Sequence, residues 1–385
     1  MPIALWILVL GSFGIGMGEF VIAGILPQIA STFQIGVPAA GYMVTLYALG
    51  VFVSAPLMAM LGTRFRHKYV LIVCMTLFVI GNIITALAPT FAIALIGRVI
   101  ASLNQGAFFG IGFLVAMSLV SESKQASAIA YVFSGLTAAN LVGIPVATWL
   151  SPIIGWQRLF YVMSVIGLLC VIGLIVYLPS KEVERSSIRS ELKAFTDPQV
   201  MLAMVVTVLG PSAFIDAVTY ISPVSVNVAH FSQSMVPLIM VIFGLGLMIG
   251  NLLGGRLADK SLFGTLFSTL ILQIVALLAL WLGASSQIIV PIAIFFVALF
   301  GFAGTPPIQK LVMDRANAAG ASVLAASVNI GMFNLGNALG AWAGGISISA
   351  GFGYASSGWS GAMLALAALL VTFVAFKTRG NPTQS

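Results

Sequence analysis

Stretches of about 20 apolar residues, the length a helix needs to cross roughly 30 Å of hydrocarbon, recur along the whole of this 385-residue chain. Twelve can be counted, at 3–28, 39–62, 69–88, 91–118, 126–150, 159–179, 199–228, 235–257, 263–283, 288–312, 320–347 and 357–376. In lipid every backbone donor and acceptor must be satisfied within the segment, so each run is read as a spanning helix. Composition leaves no other choice. Hydrophobic residues make up 60% of the chain and charged residues 6%, against about a quarter charged in soluble domains.

The charges fix the orientation. Of sixteen lysines and arginines, fourteen fall in alternate connectors or the C-terminal tail: Arg64, Arg66 and Lys68, Lys124, the group from Lys181 to Lys193, Arg256 and Lys260, Lys310 and Arg315, and Lys377 with Arg379. The other connectors hold one base, Arg158. Short loops rich in Lys and Arg resist translocation, so the basic set is cytoplasmic and, with an even number of spans, both termini are too. The net charge of +7 therefore reflects bases beside lipid headgroups and not a nucleic-acid partner. Cys74 and Cys170 sit inside apolar runs and read as packing residues. The N-terminal run lacks a basic leader and a small-residue cleavage site, and is expected to stay as the first span.

One long polar interval, Ser180 to Pro198, divides the runs six and six. The expected organisation is an N-terminal six-helix bundle over 1–179, a cytoplasmic linker over 180–198, and a C-terminal bundle with a short tail over 199–385. An internal repeat supports the division. Ala139-Asn140-Leu141-Val142-Gly143 and Gly336-Asn337-Ala338-Leu339-Gly340 match 197 residues apart, and the same offset carries Glu19 to Asp216.

The run from Gly11 through Glu19 and Phe20 to Leu26-Pro27-Gln28 resembles the first helix of the drug:proton antiporter group of the major facilitator superfamily, closest to its sugar-efflux and purine-efflux members. Arg98 followed by Gly106-Ala107-Phe108-Phe109-Gly110 is similar to that group's fourth-helix arginine motif. Gly135, Gly143 and Pro145 resemble its fifth-helix antiporter motif. The resemblance implies an all-α membrane protein of twelve transmembrane helices, two six-helix bundles related by a pseudo-two-fold along the membrane normal, in the cell inner membrane. The sequence also departs from the group. The loop after the second run reads Gly62-Thr63-Arg64-Phe65-Arg66 without the usual acid, and a closer copy, Gly255-Arg256-Leu257-Ala258-Asp259-Lys260, follows the eighth. A latch built on Arg256 and Asp259 is therefore expected in the second half alone.

Three charges lie within runs: Glu19, Arg98 and Asp216. A charged group at the centre of a spanning helix costs at least about 2.5 kcal/mol, so each demands a partner or a task. Counting along the helices places Glu19 roughly 12 to 16 Å and Arg98 roughly 10 Å below the outer boundary, close enough to form an ion pair. One reading is that they lock two helices together. The other is that the acids carry protons, since an unpaired carboxylate in low dielectric can load and release one in the physiological range. Asp216 has no base in its half, and Tyr220 follows at i+4 on the same face. Proton coupling is thus expected of Glu19, Asp216 and Arg98, and substrate contact of Asn104, Gln105 and Tyr220. Asn140, Asn334 and Asn337 read as interhelical glue. Gly135, Gly143 and the small residues of the eleventh run mark surfaces where helices approach closely and can slide. Pro145 and Pro306-Pro307 are expected to bend their helices.

No nucleophile and base, metal-ligand cluster or nucleotide loop accompanies His67 and His230, so neither an enzyme nor an ATP-driven pump is indicated. No cofactor or metal is expected beyond the proton gradient. The reading that remains is a monomeric secondary transporter in the lipid bilayer, exporting a sugar, nucleoside or drug in exchange for protons. The alternatives are proton-coupled uptake and, from a different class, a non-transporting membrane receptor.

Overall fold

The computed structural model describes residues 2–62, 65–121, 125–179, 197–318 and 322–378. Most of the linker, from 180 to 196, lies outside the described residues, as do Arg64, Lys124 and Arg379. Every apolar run is helical. Span 1 is Ile3–Phe33, span 2 Tyr42–Gly62, span 3 His67–Leu87, span 6 Trp156–Tyr177, span 8 Val236–Lys260, span 9 Leu262–Leu282 and span 12 Ser356–Lys377. Span 11, Ser322–Ser347, is a helix of 26 residues. Eleven other spans among the described residues are long and apolar enough to cross a membrane, which with span 11 gives twelve.

The helix starts follow from local chemistry. Asp197 accepts from the Gln199 backbone N–H at 2.7 Å, with Pro198 in the first turn where its missing donor costs nothing. Thr90 caps span 4 through Ile93, and Ser261 both ends span 8 and caps span 9 through Gly264.

Four spans are interrupted. Span 4 runs Phe91–Ser102, breaks at Leu103 and Asn104, and resumes over Gln105–Ser118; span 10 runs Ile289–Ala303, breaks at Gly304, and resumes over Thr305–Ala318. The second break sits just ahead of Pro306-Pro307, as those rings require. In span 5 the helices Gln125–Ala138 and Ile144–Ile154 are joined by a π turn, Ala139–Gly143. That wider turn precedes Pro145, whose ring would clash with the carbonyl four residues back. The matching segment of span 11, Gly336–Gly340, lacks a proline and stays in one α-helix. Span 7 runs Pro198–Thr219, turns at Tyr220, and continues through Ile221–Pro223 and a π turn, Val224–Val228.

The packing repeats in parallel. Span 1 packs on spans 5 and 6, and span 3 on span 6; span 7 packs on spans 11 and 12, and span 9 on span 12. Between the halves, span 2 lies along span 11, span 8 along span 5, and span 1 against Ile221–Pro223. The surface between the halves is where a cavity opens.

Candidate functional site

Glu19 sits at the centre of the contact between the halves. Its Oε2 accepts from Gln105 Nε2 at 2.9 Å, and its Oε1 accepts from Asn337 Nδ2 of span 11 at 3.2 Å. The carboxylate is thus held by one amide from each half. The break in span 4 explains the first contact: it starts a new helical segment at Gln105 and turns that side chain toward span 1. Asn104, at the break, donates to the Ala101 carbonyl, and its Oδ1 is buried without a partner.

Arg98 is fully buried, yet the expected direct ion pair with Glu19 is not formed. Its guanidinium donates to the Gly18 carbonyl at 2.8 Å and the Met43 carbonyl at 3.3 Å, and lies 4.1 Å over the Tyr47 ring. It therefore ties span 4 to spans 1 and 2 through backbone and an aromatic face, acting on Glu19 as a neighbouring charge and not as a contact. A fixed cation beside the acid that does not touch it leaves both carboxylate oxygens for the two amides. Tyr47 is the member of this group that sequence reading missed; its ring lies at i+4 from Met43, on the face that meets Arg98.

Asp216 does not face the space between the halves. Its neighbours Ile215, Val218 and Thr219 do, lining a pocket with Glu19, whereas Asp216 points into the second bundle. Its Oδ2 is 2.7 Å from Ser360 Oγ of span 12, and its Oδ1 has no hydrogen-bond partner and lies against Gly344 of span 11. Tyr220 donates to the Ala341 carbonyl at 3.1 Å instead of to Asp216. The Tyr220 hydroxyl also abuts Gly41 of the first half and Gly345, so it closes the outer side of the contact between halves. Ser360 was missed; its signal is the pair Ser356 and Ser360, one turn apart at the start of span 12.

The antiporter-motif glycines lie within one bundle. A Cβ at Gly135 would collide with the Val9 carbonyl, and one at Gly143 with Met17, so both fasten span 5 to span 1. Close approach between the halves falls at Gly244 of span 8, where a Cβ would sit 2.6 Å from the Asn140 carbonyl oxygen. Asp259 pairs with Lys310 of span 10 at 3.7 Å, within the second half, while Arg256 is exposed.

A cavity of about 620 Å³ opens between the halves, walled by spans 4, 5, 8 and 10. Lys310 and Met313 at its rim lie in the last turns of span 10 before Arg315, so it opens on the basic, cytoplasmic side. Asn140 lines it, which corrects the reading of that residue as glue alone. Gln105, Asn104 and Tyr220 do not line it; they cluster at Glu19 and at the outer seal. A much smaller pocket of about 20 Å³, room for a water molecule, separates the two levels at Glu19 and Asn337.

Two parallel six-helix halves around a cavity open to one side define a secondary transporter of the alternating-access class. The chain belongs to the Major Facilitator Superfamily, whose family model matches residues 8–331. It is 43% identical over 95% of its length to the inner membrane transport protein YdhP of Escherichia coli (strain K12), covering 94% of that protein. It is 32% identical to AraJ of the same strain, covering 94% of this chain and 92% of that protein. A chloramphenicol resistance protein of Streptomyces lividans is 28% identical, over 97% of this chain and 96% of that one. Among solved structures, a bacterial homologue of the human lysosomal transporter Spinster, in an inward-facing and unoccupied conformation, superposes with a TM-score of 0.77 at 16% identity, covering 99% of this chain and 98% of that chain. A D-xylose–proton symporter superposes with a TM-score of 0.73 at 17% identity, over 95% and 96%.

Proposed function

We propose that the protein exports a small organic solute across the inner membrane in exchange for protons, with Glu19 as the coupling acid. One observation carries the reading: the Glu19 carboxylate accepts an amide N–H from each half of the molecule. An ionised carboxylate takes both donors. A proton added at Oε1 turns that oxygen into a donor facing the Asn337 NH₂ group, and the bond across the halves is lost. Proton binding thereby releases span 11 from span 1, and proton release restores the contact. Arg98 supplies the fixed positive charge that makes ionised Glu19 tolerable in the protein interior.

Asp216 is assigned a second proton, inside the second bundle. Ser360 has one hydroxyl hydrogen and two acceptors within reach, Asp216 Oδ2 at 2.7 Å and the Ser356 carbonyl at 2.9 Å. A protonated Asp216 satisfies both, donating to Ser360 Oγ while Ser360 donates to Ser356. Gln105 and Asn104 set the Glu19 geometry, Tyr220 closes the outer side, and Gly135, Gly143 and Pro145 shape span 5 for the exchange of conformations. Asp259 with Lys310, and Arg256 beside them, form the cytoplasmic latch.

Export, in place of uptake, is supported by the antiporter-motif resemblance of span 5 and by a relative named for chloramphenicol resistance. The resemblance of span 1 to sugar-efflux and purine-efflux members supports a sugar, nucleoside or drug as cargo. YdhP is named as an inner membrane protein, and the basic connectors support cytoplasmic termini.

The test uses inverted membrane vesicles holding an acidic lumen, with a pH-sensitive dye. Adding a transported solute should release protons through the wild-type protein. The double variant Glu19→Gln, Asp216→Asn should fold and insert but release none. Wild-type proton release by that variant would refute the coupling role.

A further inference from the structure

Resting on the transport reading above, the charge and ring pattern of the cavity narrows the cargo: we infer that it is an uncharged solute with a flat apolar or aromatic face and several hydrogen-bonding groups. Two intramembrane acids, Glu19 and Asp216, are the groups that would attract a cation. The geometry removes both from that task. Asp216 faces Ser360 inside the second bundle, and Glu19 is occupied by two amides and neighboured by Arg98.

Among the described residues, the cavity wall contains no carboxylate. An organic cation entering it would give up hydration and find no counter-charge. The phenylalanine rings offer such a cation only about 0.5–2 kcal/mol each. An anion fares no better, because the one base in the wall among the described residues, Lys310, already lies 3.7 Å from Asp259.

What the wall does offer is neutral. Thr137 and Asn140 of span 5, Asn251 of span 8, and Gln309 of span 10 bring hydroxyl and amide groups from both halves. Asn140 donates to the Leu136 carbonyl at 3.1 Å, and because a carbonyl only accepts, its amide orientation is settled and Oδ1 is left without a partner. On span 5, one turn before Thr137, Phe133 stacks on Phe113 of span 4, with centroids 5.2 Å apart and planes at 19°, and is 40% exposed. A flat solute extends such a stack. The volume of about 620 Å³ falls in the usual range for drug-sized ligands, about 300–1,000 Å³.

Binding to the purified full-length protein in lipid nanodiscs, measured by titration calorimetry with no gradient present, tests this. The probes are adenosine, its 5′-monophosphate, L-arabinose, tetraphenylphosphonium and a set of uncharged aromatic amides and alcohols. At least one uncharged aromatic probe should bind, weakened roughly fivefold by Phe133→Ala, which removes about 1 kcal/mol of stacking. The monophosphate and tetraphenylphosphonium should not bind. Asn251→Asp, at an exposed wall position, should confer tetraphenylphosphonium binding, and that gain supports the inference even if no uncharged probe in the set binds. The inference is overturned by a charged probe binding the wild type as tightly as the uncharged ones, or by failure of all uncharged probes together with no gain in Asn251→Asp. Because no gradient is used, neutral binding without proton-driven flux would sink the coupling reading and leave this one standing. Proton-driven flux of a cation would do the reverse.

Discussion

Arg98 is the largest fully buried side chain among the described residues, and its surroundings show how a bilayer-embedded cation is tolerated without a salt bridge. Two carbonyls and a ring face take the place of water. Lysine cannot reproduce this, because its three donors radiate from a point and lack a plane to stack on Tyr47. Arg98→Ala should therefore lower stability by about 1.5–3 kcal/mol for each lost charge-assisted hydrogen bond, and Arg98→Lys should recover only part of it. Thermal unfolding in detergent reads both, and a lysine variant as stable as the wild type would show that charge alone matters. At Asp216 the expectation differs. Asn in its place still donates to Ser360, so Asp216→Asn should stay near wild-type stability, whereas Ser360→Ala strands the acid and should cost about 1–3 kcal/mol. A Ser360→Ala protein as stable as the wild type would remove the hydrogen-bond count on which a protonated Asp216 rests.

At the scale of the helix, hydropathy located every span, because insertion cost depends on depth and twenty apolar residues have one way to meet it. It also put Arg98 and Glu19 at neighbouring levels, since Arg98 donates to the Gly18 carbonyl. It did not give the direction in which each side chain points. In a soluble helix a polar stripe marks the wet face, but a helix in lipid is apolar all round, and its packed face is set by partners far along the chain. Glu19 meets Asn337 and Asp216 meets Ser360 by this means, so the expected Glu19–Arg98 contact was reasonable in depth and wrong in azimuth. The π turn in span 5 was half visible: Pro145 announced a distortion, but not that it would form at Ala139–Gly143. This turn brings the Asn140 backbone against Gly244, where spans 5 and 8 touch across the halves. Gly244→Val should push those spans apart on the cytoplasmic side and slow exchange between conformations. Transport rate should fall while calorimetric binding of solute persists, and a wild-type rate would show that this contact does not have to re-form.

For the molecule as a whole, the two ends of the space between the halves are in opposite states. The basic side holds the large cavity, while on the other side Tyr220 of the second half wedges against Gly41 of the first, with Gly345 behind it. A pocket of about 120 Å³ lies there, bordered by Pro38, Tyr42, Trp342 and Gly345. Both glycines are required by that fit, since a Cβ on Gly41 would lie 2.5 Å and one on Gly345 2.8 Å from the Tyr220 hydroxyl. The seal is built from shape and not from charge, so proton binding at Glu19 has no ion pair to break there and need only release Asn337, one level deeper. Gly41→Val should therefore favour the outward-open conformation without touching either acid. Spin labels at Gln34 and Phe352, on the exposed outer ends of spans 1 and 11, report it by pulsed electron resonance. In Gly41→Val the label distance should lengthen at every pH, whereas in the wild type it should lengthen as Glu19 takes up its proton and shorten when the proton leaves. Equal distances in the variant and the wild type across the pH range would show that the outer side is held shut by something other than Tyr220.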